Sequence, residues 1–237
     1  MEILESKYLY LGLMLFSISY PLAQSFEWRI CFYKNWPFLF KATLIMMAVF
    51  IPWDIAFTFF NIWWFNDQYI TGIKLFLLPI EEWLFFLIIP YACVFLYEVL
   101  NYYFSTNFLE KYAQQILHFL LSFTIVTALI NYNKTYTFFT SLGCALTLAF
   151  IWYKKPSWLG KFFFAYLIIW IPFILINGAL TGMYTSAATV NYNPEEIIGI
   201  RIFTIPIEDS IYNLFKLLLV VFFYEKFKTE SLKTTVN

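Results

Sequence analysis

Seven apolar runs, near residues 8–23, 38–59, 75–97, 114–131, 135–153, 161–180 and 202–224, set the terms on which this chain can fold. Each reaches or approaches the roughly 20 residues that an α-helix needs to cross the hydrocarbon of a bilayer. Backbone groups in lipid find no water, so apolar runs of this length satisfy them internally, as helices. Composition agrees, with 62% of residues apolar and 13% charged, where soluble domains carry about a quarter charged. The expected fold class is all-α, an integral membrane protein of about seven transmembrane helices. The first run ends in the small-residue stretch Ala23-Gln24-Ser25, as a signal peptide would, but its leader MEILESK is net acidic where a signal starts basic. It is read as a retained helix.

Net charge is zero and no basic stripe is present, which argues against nucleic-acid partners. Cys31, Cys93 and Cys144 form no CxxC pair, so neither a disulfide framework nor a metal site is expected. Ten basic residues (Arg29, Lys34, Lys41, Lys111, Lys154, Lys155, Lys161, Lys226, Lys228 and Lys233) fall on one side of the spans, and four (Lys7, Lys74, Lys134 and Arg201) on the other. The basic side is expected to be cytoplasmic, with the N-terminus outside. Lone His118 reads as interfacial, and the sequon-like Asn133-Lys134-Thr135 carries no weight without a eukaryotic host.

An internal repeat organises the rest. LFLLPIEEWLFF at 75–86 recurs as IFTIPIEDSIYN at 202–213, so Pro79, Glu81 and Glu82 correspond to Pro206, Glu208 and Asp209 at an offset of 127. The same offset carries Phe65-Asn66 onto Tyr192-Asn193, Gly72 onto Gly199, Lys74 onto Arg201, and Tyr97-Glu98 onto Tyr224-Glu225. Upstream, Ile51-Pro52-Trp53 returns as Ile171-Pro172-Phe173 at an offset of 120, with Asp54 and Asn177 as the polar residues nearby. The expected organisation is a first repeat over 1–105, a linking helix over 106–133, a second repeat over 134–228 and a polar tail over 229–237. Four helices separate equivalent points, which makes this a parallel repeat.

A proline followed by acids is an ordinary helix start, because carboxylates suit the positive end of the macrodipole. Depth argues for more. Glu81 lies seven residues beyond Lys74 and Glu208 seven beyond Arg201, roughly 10 Å further in if the segment is helical. Ionisable groups at such depth cost on the order of 1–3 kcal/mol each unless they face a partner or a cavity. Adjacent carboxylates in low dielectric do not readily all ionise, so the cluster can present a Brønsted acid, and an anionic partner can stabilise positive charge on a substrate. Trp53, Trp64, Trp83, Phe85 and Phe86 are candidate walls whose ring faces favour cations without acting as bases.

The doubled PIEE and PIED motifs, with Trp64-Phe65-Asn66 before the first and VNYNPEEIIGIRIFTIPIEDSIYNLFKLLL around the second, resemble the membrane lycopene cyclases. The two halves of those enzymes occur as separate subunits in some bacteria and fused in others. The resemblance covers the chain from the first span to Glu225. It implies a fused cyclase that closes the ψ-ends of lycopene into β-ionone rings, through γ-carotene to β-carotene, as a redox-neutral isomerisation without metal or cofactor. It also implies Glu81, Glu82, Glu208 and Asp209 in acid and base roles, with Asp54 a weaker candidate; beside it, Asn66, Tyr192, Asn193, Tyr212 and Asn213, from the repeated segments, are candidates for the substrate site. The implied partners are the carotenoid and the lipid bilayer, with other enzymes of carotenoid biosynthesis as candidates. Independently of the resemblance, the seven glycines nowhere form GxGxxG, so a tightly bound dinucleotide is not expected.

The copies differ in ways that bear on roles. One turn past the acids the first offers Phe85 and Phe86, and the second offers Tyr212 and Asn213. The first pair is therefore expected to donate the proton, and the second to act as counter-ion, proton acceptor or both. Lys216, seven residues beyond Asp209, has Ile89 as its counterpart and is expected to snorkel toward the cytoplasmic edge. It also motivates a rival reading, a retinal-binding rhodopsin-like protein, although such proteins place an acid where this chain has Tyr212. Paired intramembrane acids would also suit a proton-coupled transporter. A prenyltransferase would need aspartate-rich clusters for magnesium, and Asp54, Asp67 and Asp209 are far apart in sequence.

Overall fold

The computed structural model describes residues 5–236, so the leader MEILESK is seen only from Glu5 and Asn237 lies outside the described residues. Seven helices follow the seven apolar runs: α1 (Leu9–Gln24), α2 (Trp36–Phe59), α3 (Ile80–Tyr103), α4 (Ala113–Ile130), α5 (Thr135–Lys154), α6 (Leu159–Leu180) and α7 (Ile207–Val236). Five of them, α2 to α6, are long and apolar enough to cross a membrane. The first helix is apolar but only 16 residues long. In α7 the apolar character is interrupted by Glu208, Asp209 and Lys216, all within its first ten residues. The segment expected as a polar tail continues α7 as far as Val236.

The two copies, α1–α3 and α5–α7, are joined through α4, and each is completed by the other. The middle helix of the first copy packs along the last helix of the second, and α6 packs in turn against α3. Phe50 of α2 meets Tyr212 and Phe215 of α7 at centroid distances of 5.0 and 4.7 Å. Strands β1 (Trp63–Phe65) and β4 (Val190–Tyr192) pair antiparallel across the copies. Trp64 faces Asn191, its own equivalent at offset 127, with Trp63 on Tyr192 and Phe65 on Val190 to either side. That register puts a local two-fold between Trp64 and Asn191, relating one copy to the other.

Spans three and seven begin later than the apolar runs suggest. Residues expected to open them form tight hairpins instead: β2 (Lys74–Leu75) on β3 (Leu78–Pro79), and β5 (Arg201–Ile202) on β6 (Ile205–Pro206). The cause is local. Phe76 and Leu77 take φ of 49° and 71°, as does Phe203 at 56°, which turns the chain back. Gly72 and Gly199, at φ of 88° and 91°, enter each hairpin in a conformation that glycine adopts without steric cost. Lys74 pairs with Pro79 and Arg201 with Pro206. The seven intervening residues therefore fold back rather than descend, and the depth argument from helical rise does not hold. The acids are buried because other elements cover them.

Candidate active site

Both acid pairs sit in the first turn of their helices, after Pro79 and Pro206 end the hairpins in extended backbone. The first acid of each pair fastens the preceding loop. Glu81 Oε1 accepts the Thr71 N–H at 2.7 Å, and Glu208 Oε1 accepts the Ile198 N–H at 2.7 Å, the same bond 127 residues on. Glu208 Oε1 also accepts from the Thr137 hydroxyl at 2.7 Å. Both side chains are fully buried, and the remaining oxygen of each has no protein partner.

The second acids face a shared space. Glu82 Oε2 accepts from the Tyr10 hydroxyl at 2.6 Å. Asp209 accepts from three groups: the Tyr136 hydroxyl at 2.6 Å, the Asn177 side-chain amide at 2.8 Å and the Tyr192 hydroxyl at 2.8 Å. Asp54 reaches the same space from α2 and accepts from the Tyr212 hydroxyl at 2.8 Å. Together Glu82, Asp209 and Asp54 line one cavity of about 380 Å³ whose other walls are mostly apolar. It runs from the acids along α3 past Phe85, Ile89 and Cys93 to Leu96, roughly 20 Å of helix. At the far end it is lined by Phe16 and Tyr20 of α1 and by Phe173 and Leu175 of α6. Phe16, Tyr20 and Leu175 are exposed on the helix surface, so the cavity wall there continues into the lipid-facing surface.

Lys216 belongs to this cavity. Its side chain is 1% exposed and its ammonium lies 4.1 Å from the centroid of Phe85. It interacts electrostatically with Glu82, Asp54 and Asp209. The expectation of snorkelling is overturned: α7 turns this face inward against α3, so the lysine ends on a ring face beside carboxylates rather than at a membrane edge.

Of the residues singled out in the sequence, Asp54, Glu82, Phe85, Tyr192, Asp209, Tyr212 and Asn213 line the cavity. Glu81 and Glu208 lie behind it, in their loop-fastening bonds. Trp53 is packed away from it, stacked on Phe50 and edge-on to Phe139 and Phe215. Phe86 is buried in the core behind Phe85. Trp64 is 43% exposed on β1, and Trp83 donates its ring N–H to the Leu75 carbonyl outside the cavity. Asn66 and Asn193 cap the short turns after β1 and β4 by accepting the Gln68 and Glu195 N–H groups. Sequence reasoning missed Tyr10 and Tyr136. They match each other at an offset of 126, one residue short of the offset in the motifs, so the repeat could have been extended back to them. Among the described residues no cluster of three or more His, Cys, Asp or Glu could hold a metal ion.

The geometry is that of two equivalent acid corners opening on one apolar pocket. The sequence profile of the family described as Lycopene cyclase matches residues 7–100 and 133–227, the two copies in turn. Comparisons with curated proteins and with solved structures returned no match. With both halves of the chain matched in order, this protein belongs to the lycopene cyclase family, as a fusion of two repeated segments in one carotenoid cyclase.

Proposed function

We propose that the chain cyclises the ψ-ends of lycopene to β-ionone rings, an acid-catalysed and redox-neutral isomerisation within the membrane. The observation that carries this reading is the pairing in one apolar cavity of a carboxyl with a single donor, Glu82, and a carboxylate held by three, Asp209. All of Asp209's partners donate, which suits an ionised acceptor. Glu82 has one oxygen engaged by Tyr10 and offers the other to the cavity.

Glu82 gives its proton to the CH carbon of the terminal, dimethyl-substituted double bond, leaving a tertiary cation on the dimethyl carbon. The double bond that begins the conjugated chain attacks that carbon through its own CH end and closes the ring. The charge passes to the methyl-bearing carbon, and loss of the ring CH proton restores a double bond. Asp209 stabilises the positive charge and accepts the proton, while Asp54, held by Tyr212 beside Glu82, is placed to share in returning it. Phe85, Phe65 and Tyr192 supply ring faces along the path of the charge. The cavity holds one end of a polyene at a time, and the substrate reaches it from the lipid between α1 and α6. The two repeats, 1–105 and 134–228, act as one catalytic unit, with the N-terminus outside and the basic side cytoplasmic.

Expression in lycopene-accumulating cells, with products separated by chromatography, tests the reading. γ-Carotene and β-carotene are expected. Unchanged lycopene, with the protein verified in the membrane, rules it out.

A further inference from the structure

Among the described residues Lys216 is the one cation lining the cavity, and the reaction above does not use it. Its counterpart at offset 127, Ile89, lines the same cavity on the opposing copy. The two-fold relating the acid corners is therefore broken here by a full charge. Phe85 stands one turn beyond Glu82 on α3, and Cys93 stands a little over two turns further along. Lys216 lies against the Phe85 ring, and Cys93 lines the cavity further along. A ψ-end lodged between Glu82 and Asp209 thus threads its conjugated chain past the ammonium.

That placement meets a chemical difficulty of the reaction. Lycopene offers an acid two kinds of alkene: the isolated terminal one, which must be protonated, and the conjugated chain, whose protonation gives a cation delocalised over many carbons. The second is intrinsically the easier to protonate. On the productive path the charge never enters the chain. It sits first on the dimethyl carbon and then on the methyl-bearing ring carbon, which the new tetrahedral ring carbon insulates from the polyene. A fixed positive charge beside the chain penalises the delocalised cation far more than a localised one beyond it, because Coulomb energy falls with distance and a low dielectric magnifies it.

We propose that Lys216 is a selectivity residue that directs the proton to the terminal double bond by opposing positive charge on the conjugated chain. The inference rests on the cyclase reading. It assigns Lys216 no proton transfer. Phe85 holds the ammonium by its ring face, and the carboxylates of the cavity other than the proton donor, Asp54 and Asp209, oppose its charge.

Misdirected protonation leaves a record. A proton added to a chain carbon and then returned to the carboxylate regenerates the polyene, but the intervening cation permits rotation about former double bonds, and in D2O the returned proton can leave deuterium behind. Lycopene recovered after partial conversion in D2O-equilibrated vesicles is therefore analysed for deuterium in the polyene and for cis isomers. Wild type is expected to form ring-labelled product while leaving unreacted lycopene unlabelled and all-trans. Lys216→Met, similar in shape and uncharged, is expected to label and isomerise recovered lycopene on the order of tenfold or more above wild type, and Lys216→Arg to restore the clean outcome. A purely structural lysine would change rate or folded yield without labelling the substrate. Lys216→Met that cyclises lycopene and leaves the remainder clean overturns the inference alone. Labelled lycopene recovered from wild type also overturns it, whether or not the variant folds. Wild type that forms no cyclic product overturns the cyclase reading and this inference together.

Discussion

The two acid corners are built from matching parts and differ in what surrounds the second carboxyl. In each, a tyrosine from the first helix of the copy, Tyr10 or Tyr136, donates to it at 2.6 Å. Asp209 then gains Tyr192 and Asn177. The counterparts of these donors in the first copy's sequence are Phe65, at offset 127, and Phe57, at offset 120, neither of which can donate. The first acids show the same bias, since Glu208 has Thr137 where Glu81 has Leu11, at offset 126. The repeat holds two equivalent carboxyl sites, and on the proposed mechanism the exchange of phenylalanine for hydroxyl and amide donors makes one of them the better anion and the other the better acid.

The largest expected effect tests that division directly. Glu82→Gln removes the carboxyl assigned as proton donor and is expected to lower turnover roughly 10²- to 10⁴-fold, the scale of general acid catalysis. Asp209→Asn is expected to cost about 10²- to 10³-fold through loss of the counter-ion. Glu81→Gln weakens a buried bond to the Thr71 N–H, so it should lower stability by about 1–2 kcal/mol while activity per folded molecule stays within a few-fold. Turnover in vesicles, normalised to folded protein, decides. Full activity in Glu82→Gln with loss in Glu81→Gln would invert the assignment.

A smaller effect follows from making the corners alike. Phe65→Tyr places a hydroxyl where Tyr192 has one, and a second donor to Glu82 favours its ionised form. Hydrogen bonds to charged groups contribute about 1.5–3 kcal/mol, so cyclisation should slow by roughly ten- to a hundredfold with the lycopene KM little changed. Tyr192→Phe, the reverse exchange, should slow the step that depends on Asp209. An unchanged rate in Phe65→Tyr would mean that donor number does not set the difference between the copies.

The copies also differ in free space. Along α3 the cavity opens between α1 and α6, whereas the related groove along α7, between α5 and α2, is filled by Trp53, Phe139 and Phe215. Gly143 makes this packing possible, since a Cβ there would meet the Phe215 ring at 2.5 Å. Its counterpart at offset 126 is Ser17, which lines the open cavity. Gly143→Ala is expected to destabilise the protein by about 1–3 kcal/mol, the usual scale of overpacking, read as a lower Tm in detergent. If it instead left stability unchanged and let a second polyene end bind, the filled groove would be a second site held shut rather than part of the core.

How much of this could be read from the sequence depended on what each signal encodes. The helices were legible because seven apolar runs are imposed by lipid, and the acid pairs were legible because the duplication printed them twice. The hairpins were not: Phe76, Leu77 and Phe203 are residues that turns of this kind seldom use, so LFLLP read as continuous span. The division within each pair was hidden for another reason. Glu81 and Glu82 differ by one helical step of about 100°, and only the loop and the partner helices determine which of them looks into the cavity. Lys216 was misplaced because α7 was taken to have a lipid face at that point, whereas α2, α3 and α5 enclose it.

The smallest effect concerns a contact with no counterpart in the other copy. Glu5, ahead of α1, accepts from the Tyr69 hydroxyl in the first copy's loop and from the Ser186 N–H and hydroxyl in the second's, tying the two loops on the side where the acid pairs lie. At offset 126 the second copy has Asn131, which donates to its own helix at the Thr127 carbonyl. The Tyr69 hydroxyl, with the N–H and hydroxyl of Ser186, holds the Glu5 carboxyl below its usual value of 4.5. A carboxyl shifted down on folding contributes stability above its unfolded value, and that contribution is lost as pH falls from 4.5 through the folded value. The side chain is solvent-exposed, so the tie should be weak and salt-sensitive. Glu5→Gln should accelerate proteolysis of the loop over 184–189 at pH 7, and the difference from wild type should vanish once the pH is well below 4.5. A difference that persists in acid would assign the tie to packing around Tyr69 rather than to the charge on Glu5.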